Sequence, residues 1–544
     1  MICTKTALAF LALNAVFCGC INPEFSHITF NATEYGITAD GKTDDAPAIL
    51  KLLEKVSDAT NPVTIVFPEN SSIYAASATN RYLFPLTGFK DVTVNGNGST
   101  FLLDPDIRFM NMRGCTNITF KNLKVDFTPL PFADGTIIAK SEKERWVDVR
   151  LLHGNPAQLC GTPTKEDGEQ AFFSMLWNDG PYDLISEHYW TRLTEKLPES
   201  NCVRVHCENN FTQFKFIEPG KTRISIPVPG IAHRYGPGGC FDIFDNTDVS
   251  FANIELWSAP WFGFRIFRNE GKVEFTNVNI RSKPETERLT STWRDGFHVK
   301  GNRASLLWEN CTLTGMNDDA FNISTHCRAV TKIESPTRFV THQRYPLNPI
   351  PWRIGDEMVA VNPETLQIRG RAIVTKIDSE TRMLGERPAA PMLTIETDKP
   401  IMNLNAGDTI WQPASTNPDT TLRNCTIKKS CRMQCSLTME SCAVTALLWF
   451  YSEDIEGPGP QSVSIRNCTL HRGRGNAQNA VIFSGAPKDK NSDSAKLTPR
   501  LLQSVDLTGN QIYGGLSLKG VENVFMLNNQ FLEKDAPVII ENNR

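Results

Sequence analysis

A short pattern recurs along this chain: an apolar strand, then Asn, an apolar residue, a polar residue and another apolar residue. It runs Ile118-Thr-Phe-Lys-Asn122-Leu-Lys-Val125, Val249-Ser-Phe-Ala-Asn253-Ile-Glu-Leu256 and Val273-Glu-Phe-Thr-Asn277-Val-Asn-Ile280. It continues as Leu306-Leu-Trp-Glu-Asn310-Cys-Thr-Leu313, Thr421-Leu-Arg-Asn424-Cys-Thr-Ile427 and Val463-Ser-Ile-Arg-Asn467-Cys-Thr-Leu470, with weaker copies near Val505 and Val524. One such strand cannot bury its apolar face alone, but stacked copies make a continuous core and parallel sheets. Asn suits the bend because it tolerates left-handed backbone angles, and stacked amides can bond along a ladder. Asn253 and Asn277 are 24 residues apart and Asn277 and Asn310 are 33 apart, one coil and one coil with a loop. The pattern predicts an all-β, right-handed parallel β-helix of the pectin-lyase type. A β-sandwich also alternates apolar and polar residues, but it does not repeat this bend.

The repeat is interrupted twice. Residues 128–234 contain Trp146-Val-Asp-Val-Arg-Leu151 and Thr222-Arg-Ile-Ser-Ile-Pro227. Residues 327–413 contain Trp352-Arg-Ile-Gly-Asp-Glu-Met-Val-Ala-Val361, Leu366 to Lys376, and Leu393-Thr-Ile-Glu396. Both alternate like antiparallel strands and predict small β-barrel-like insertions in coil-to-coil loops. Residues 21–127 then hold an N-terminal cap and the first coils, 235–326 the central coils and 414–544 the last ones. In the cap, Ala48, Ile49, Leu52, Leu53 and Val56 have helical spacing behind Asp44 and Asp45, and Thr64 to Pro68 follows as a strand. That pairing resembles the cap of pectin-degrading β-helix enzymes.

Residues 1–20 read as an export leader. Lys5 precedes an apolar run too short to span a bilayer, and Phe17-Cys18-Gly19-Cys20 resembles a lipobox with Cys20 as the acylated residue. Either a lipobox or an ordinary cleavage site places the mature chain in the periplasm, the outer membrane or the cell surface. Membrane attachment is expected only through that lipid. Export permits disulfides, and Cys202/Cys207 and Cys431/Cys435 are close enough in sequence to pair. Cys311, Cys425 and Cys468 share one repeat position and are expected to stack as small buried residues. No cysteine pair with matching histidines suggests zinc, so no metal or cofactor is expected. A net charge of −4 with no basic block gives no case for nucleic acid.

Two acidic pieces stand out. Asp295 lies in Ser291-Thr-Trp-Arg-Asp-Gly-Phe-His298, and Asp318 with Asp319 in Gly315-Met-Asn-Asp-Asp-Ala-Phe-Asn322. Each is ordinary turn chemistry by itself. Their 23-residue separation is about one coil, however, and adjacent strands lie about 4.8 Å apart. Three carboxylates in so small a space raise one another's pKa, so a protonated acid can stand beside an ionised base. Trp293 offers a stacking face, and Arg294, His298 and Asn322 offer partners for hydroxyls. Trp257 and Trp261 are further stacking candidates, Arg265 a hydroxyl or anion contact, and Glu453 and Glu456 candidates to line the cleft. The substrate expected is an oligosaccharide or polysaccharide.

The stretch 260–322 resembles glycoside hydrolase family 110, the α-1,3-galactosidases on parallel β-helices. The matching residues are Ser291-Thr292, Asp295, His298, Glu309-Asn310-Cys311, Gly315-Met316, Asp318-Asp319-Ala320 and Asn322, with Phe262-Gly263-Phe264 upstream. The family's β-barrel domains fit the two insertions. The resemblance implies an exo-acting, inverting hydrolase of terminal α-galactosides with Asp295, Asp318 and Asp319 as catalytic carboxylates. The acid is then expected within the Asp318/Asp319 pair, with Asp295 and the other member positioning water. After Asn the family continues Val-His-Gly, whereas this chain has Ile323-Ser324-Thr325-His326. Two other readings stand beside it. A polysaccharide lyase would use a basic residue such as Arg265 or Arg294, and a polygalacturonase would carry a Gly-His-Gly after the acids and an Arg-Xaa-Lys further on, neither of which is present. A non-catalytic glycan-binding β-helix would use the acids only as turns. Homodimer formation is left open.

Overall fold

The computed structural model describes residues 27–541 apart from 79–80, 161–172, 179–183, 208–212, 229–237, 366, 453–454, 473–477 and 485–501. Residues 1–20, expected to be a leader, with Cys20, and Glu453 lie outside the described residues. The chain is an all-β parallel β-helix. A 21-stranded and an 11-stranded parallel sheet run along it, and two closed barrels are inserted between coils.

One coil shows how the sequence makes the rest. Thr247–Leu256 runs along the larger sheet, bending at Asn253, and Phe262–Phe267 then joins the smaller sheet. The chain turns at Asn269 and re-enters the larger sheet as Glu270–Ile280. The repeated Asn residues have positive φ: 56° at Asn122, 55° at Asn253, 53° at Asn277, 57° at Asn310, 53° at Asn424 and 54° at Asn467. Asn277 donates to the Asn253 amide oxygen at 2.9 Å and Asn253 to that of Asn122 at 2.9 Å. Such bonds satisfy polar groups at a bend that every coil must make. A second ladder lies buried at the opposite corner. Asn246, Asn269 and Asn302 each donate to the next coil's Asn, ending at Asn417, at 3.1, 3.0 and 2.9 Å.

The core is a column of rings. Phe120, Phe251, Phe275 and Trp308 stack on one side, and Phe241, Phe264, Phe297 and Phe321 on the other. Cys311, Cys425, Cys442 and Cys468 fill the position after the bend and are buried and unpaired. The pairings expected from sequence proximity are absent: neither Cys202 and Cys207 nor Cys431 and Cys435 are joined by a disulfide. Cys202 and Cys207 stand at opposite ends of the strand Cys202–Cys207, an odd separation that sends their side chains to opposite faces. The helix Ala46–Ser57 buries Ile49, Leu52, Leu53 and Val56 against the first coils. Asp45 does not cap it by a side-chain bond; its carboxylate instead takes the Thr38 and Ala39 amides.

Each barrel has six strands, the first from Phe132 to Pro227 and the second from Arg328 to Trp411. The coils on either side stay in register, Leu123 opposite Ile254 and Leu307 opposite Thr421. No helix among the described residues is long and apolar enough to cross a membrane.

Candidate active site

The acids meet where the chain enters the smaller sheet. Phe264, Phe297 and Phe321 lie side by side on three successive coils. Carried back two residues, that register sets Asp295 beside Asp319, with the Gly296 amide donating to the Asp319 carbonyl at 2.9 Å. The neighbour of Asp318 is therefore Arg294, and the two form an ion pair at 3.0 Å. Counting residues suggested Asp295 beside Asp318; the strand register moves the match by one. One oxygen from each of Asp295, Asp318 and Asp319 lies within 4.8 Å of the others.

The three carboxyls have different surroundings. Asp295 is buried, and its Oδ2 lies 2.6 Å from His298 Nδ1. Burial, then the charges of Asp318 and Asp319, hold its pKa well above the usual carboxylate range. Asp319 accepts from the Ser430 hydroxyl at 2.6 Å, and Arg432 Nε stands 3.9 Å away. Asp318 is the most open of the three, its side chain 27% exposed. His298 is wedged against Phe262 and Phe267, at 4.6 and 5.7 Å between rings. Burial, then the Lys300 and Arg265 charges, push its pKa well down, so it is a neutral imidazole at neutral pH. The three oxygens would also suit a hard cation, but Arg294 and Arg432 already offer positive charge to Asp318 and Asp319.

The floor beyond the acids is one outward-facing row. Asp242, Arg265, His298, Asn322, Arg432 and Trp449 are successive neighbours across the smaller sheet. Asn322 accepts from Lys300 Nζ at 2.8 Å, which leaves its NH2 to serve as a donor. Lys300 is fully buried and also bonds Ser324 and Glu456. Burial pushes the Lys300 pKa down, against the pull of Glu456 and Asp295. Glu456 receives Arg432 at 2.8 Å. Burial alone would raise its pKa, but Lys300 and Arg432 outweigh that and hold it low. The second barrel adds Tyr345, whose ring covers His326 at 4.8 Å between centroids. Burial pushes His326 down to about 4.

Several expected contacts come out differently. Trp293 is 1% exposed and stacks on Phe132 of the first barrel, so it supports Arg294 and Asp295 from below and offers no face to a sugar. Trp261 is buried beneath the Arg294 guanidinium, 5.1 Å from its ring. Trp257 lies under Lys283 and its Nε1 donates to Glu255 at 3.3 Å. Arg265 is committed to Asp242 through two bonds of 2.6 Å, so it does not stand ready for an anion. Sequence reasoning missed Lys300, Ser430, Arg432, Tyr451 and Asp242. A recurring Phe-polar-Ile/Val triplet, Phe241–Ile243, Phe264–Ile266, Phe297–Val299 and Phe321–Ile323, was the available signal for Asp242, but Cys431-Arg432-Met433 departs from it.

No family model matches the chain. An α-1,3-galactosidase B of Bacteroides thetaiotaomicron is 24% identical over 352 residues, 59% of this chain and 54% of its own length. An α-1,3-galactosidase A of Shewanella woodyi is 22% identical over 59% of this chain and 54% of its own length. One from Akkermansia muciniphila, named α-1,3-galactosidase B, is 21% identical over 72% and 50%. The chain thus spans about half the length of the curated relatives it matches. Among solved structures, a surface adhesin of Streptococcus pneumoniae aligns over 95% of this chain and 92% of its own at TM-score 0.29 and 10% identity. A structure titled glycoside hydrolase aligns over 95% and 96% at TM-score 0.27 and 8% identity, and neither score is high enough to bear on the fold. The chain is thus similar in sequence to α-1,3-galactosidases, the glycoside hydrolase family 110 that its 260–322 stretch resembles.

Proposed function

We propose that this chain is an exo-acting glycoside hydrolase that removes terminal α-linked galactose, through an α-1,3 linkage, from glycans outside the cytoplasm. The lipobox at Cys20 supports export and anchoring. The observation that carries the reading is the convergence of Asp295, Asp318 and Asp319 within 4.8 Å, in three different environments. Asp295, whose buried carboxyl holds its proton to higher pH than an ordinary aspartate, is suited to give that proton to the leaving oxygen. This assignment moves the acid from the Asp318/Asp319 pair to Asp295. Asp319, steadied by Ser430 and Arg432, and Asp318, paired with Arg294, are suited to orient the attacking water and take its proton. A water accepts and donates at about 2.8 Å, so two oxygens 4.8 Å apart can share one.

Inversion is the outcome the family resemblance supports. Inverting carboxyls usually stand about 6.5–9.5 Å apart and retaining ones about 5–5.5 Å, so the closeness of this cluster favours retention as the second reading. A screen of terminal α- and β-linked oligosaccharides, with NMR of the first product, separates them. A β-anomer released from an α-galactoside means inversion and an α-anomer retention. Asp295→Asn, Asp318→Asn and Asp319→Asn should each lower kcat by about 10²–10⁴-fold while circular dichroism and melting stay cooperative. Full activity in Asp318→Asn and Asp319→Asn alike would sink the assignment.

A further inference from the structure

Trp449 belongs to none of the contacts assigned above, yet it continues the row of the site. It lies beside Arg432 on the next coil, two coils beyond Asn322. At about 4.8 Å per coil, that is roughly 10 Å along the helix axis. Tyr451 backs one face of the indole, 4.1 Å between centroids and 20° from parallel. Tyr451 is buried, whereas Trp449 is only partly so, which leaves some of the indole accessible. Arg432 ties this pair to the acids. Its Nε donates to the Tyr451 hydroxyl at 2.8 Å and lies 3.9 Å from Asp319, and its Nη2 holds Glu456 at 2.8 Å. A partly accessible indole beside a charged, hydrogen-bonding rim matches a pyranose, which has an apolar C–H face and hydroxyls at its edge.

We propose that Trp449, held flat by Tyr451, is the platform for a sugar ring of the leaving group. The inference rests on the exo reading of the acid cluster. Such an enzyme holds a single sugar on the non-reducing side of the scissile bond, so any ring at Trp449 lies on the reducing side. The spacing favours a ring beyond the one directly attached to galactose. The enzyme would then select galactose carried on at least a disaccharide over galactose on a small aglycone.

Two measurements on the full chain test this. The first compares kcat/KM for a trisaccharide, α-galactosyl-lactose, with that for α-galactosyl fluoride, whose leaving group is a single atom. In Trp449→Ala the ratio of the two should fall roughly tenfold, about the loss of one stacking contact, mainly through KM, and Trp449→Phe should restore most of it. Equal loss on both substrates, or no change in the ratio, overturns the platform. The second is calorimetric titration with lactose alone, which requires no turnover. Wild type should bind it, and Trp449→Ala should bind it about tenfold more weakly. No binding by wild type, or equal binding by both, also overturns the platform. If no glycoside is hydrolysed, the proposed activity fails and the titration still decides the platform.

Discussion

Asp295 links the chemistry of the site to the stability of the chain. In the unfolded chain an aspartate releases its proton near pH 4. In the folded chain Asp295 keeps it to higher pH, because burial and its two acidic neighbours oppose the charge. Between those pH values the unfolded state binds fewer protons, so this residue makes stability fall as pH rises. Asp295→Asn removes that fall and can keep the bond to His298. Its melting temperature relative to wild type should therefore climb from pH 4 to pH 8, and a difference constant with pH would contradict the assigned environment. His298 acts in the opposite direction: its lowered pKa costs stability as pH falls through about 6.5, where an unfolded histidine takes up a proton. That contribution is common to both proteins while the imidazole environment is kept, so the comparison isolates Asp295.

At the scale of the element, the bend is the costly part of a coil and Asn is what makes it tolerable. Asn277 sits at φ 53° and bonds Asn253. Asn277→Ala should destabilise by about 1–2 kcal/mol from the left-handed angle, with the lost amide bond added. Asn277→Gly, free of the angle's strain, should cost less. Denaturant unfolding ranks the two, and an equal cost would mean that the angle carries no weight. This dependence is why the larger sheet was legible in the sequence: one residue type has to recur where the backbone must turn. The smaller sheet was not. Phe262–Phe267, Phe297–Lys300 and Phe321–Ser324 share only a short Phe-polar-Ile/Val triplet, Cys431–Met433 lacks it, and their outward residues differ from coil to coil. The three acids were visible because no barrel separates their coils. Arg432 was not, because a barrel puts it 110 residues from its neighbour Asn322 in the chain. Buried Trp293 misled for another reason, since nothing local distinguishes a Trp under a barrel from one facing a sugar.

The whole molecule brings the first barrel up against the segment that carries Arg294 and Asp295. Phe132 stacks on Trp293, the Leu289 amide donates to Asp134 at 2.9 Å, and Thr290 donates to Ser225 at 2.6 Å. Phe132→Ala should cost about 3–5 kcal/mol and lower kcat although the residue touches no substrate. A loss of stability with unchanged kcat would show that the barrel does not brace the site. The same insertion bears on how the chain is made. Thr116–Phe127 is completed by Thr247–Leu256, and Asn122 finds its ladder partner 131 residues later. At about 5–20 residues per second, a ribosome needs roughly ten seconds to deliver the missing strand. During that wait the growing solenoid ends in an unpaired edge, the surface on which strands of other chains mispair. A barrel that folds early brings its two ends together and spares the coil most of the search. The inserted barrel is thereby placed to act as a tether for the nascent helix before it packs against the segment that carries Arg294 and Asp295.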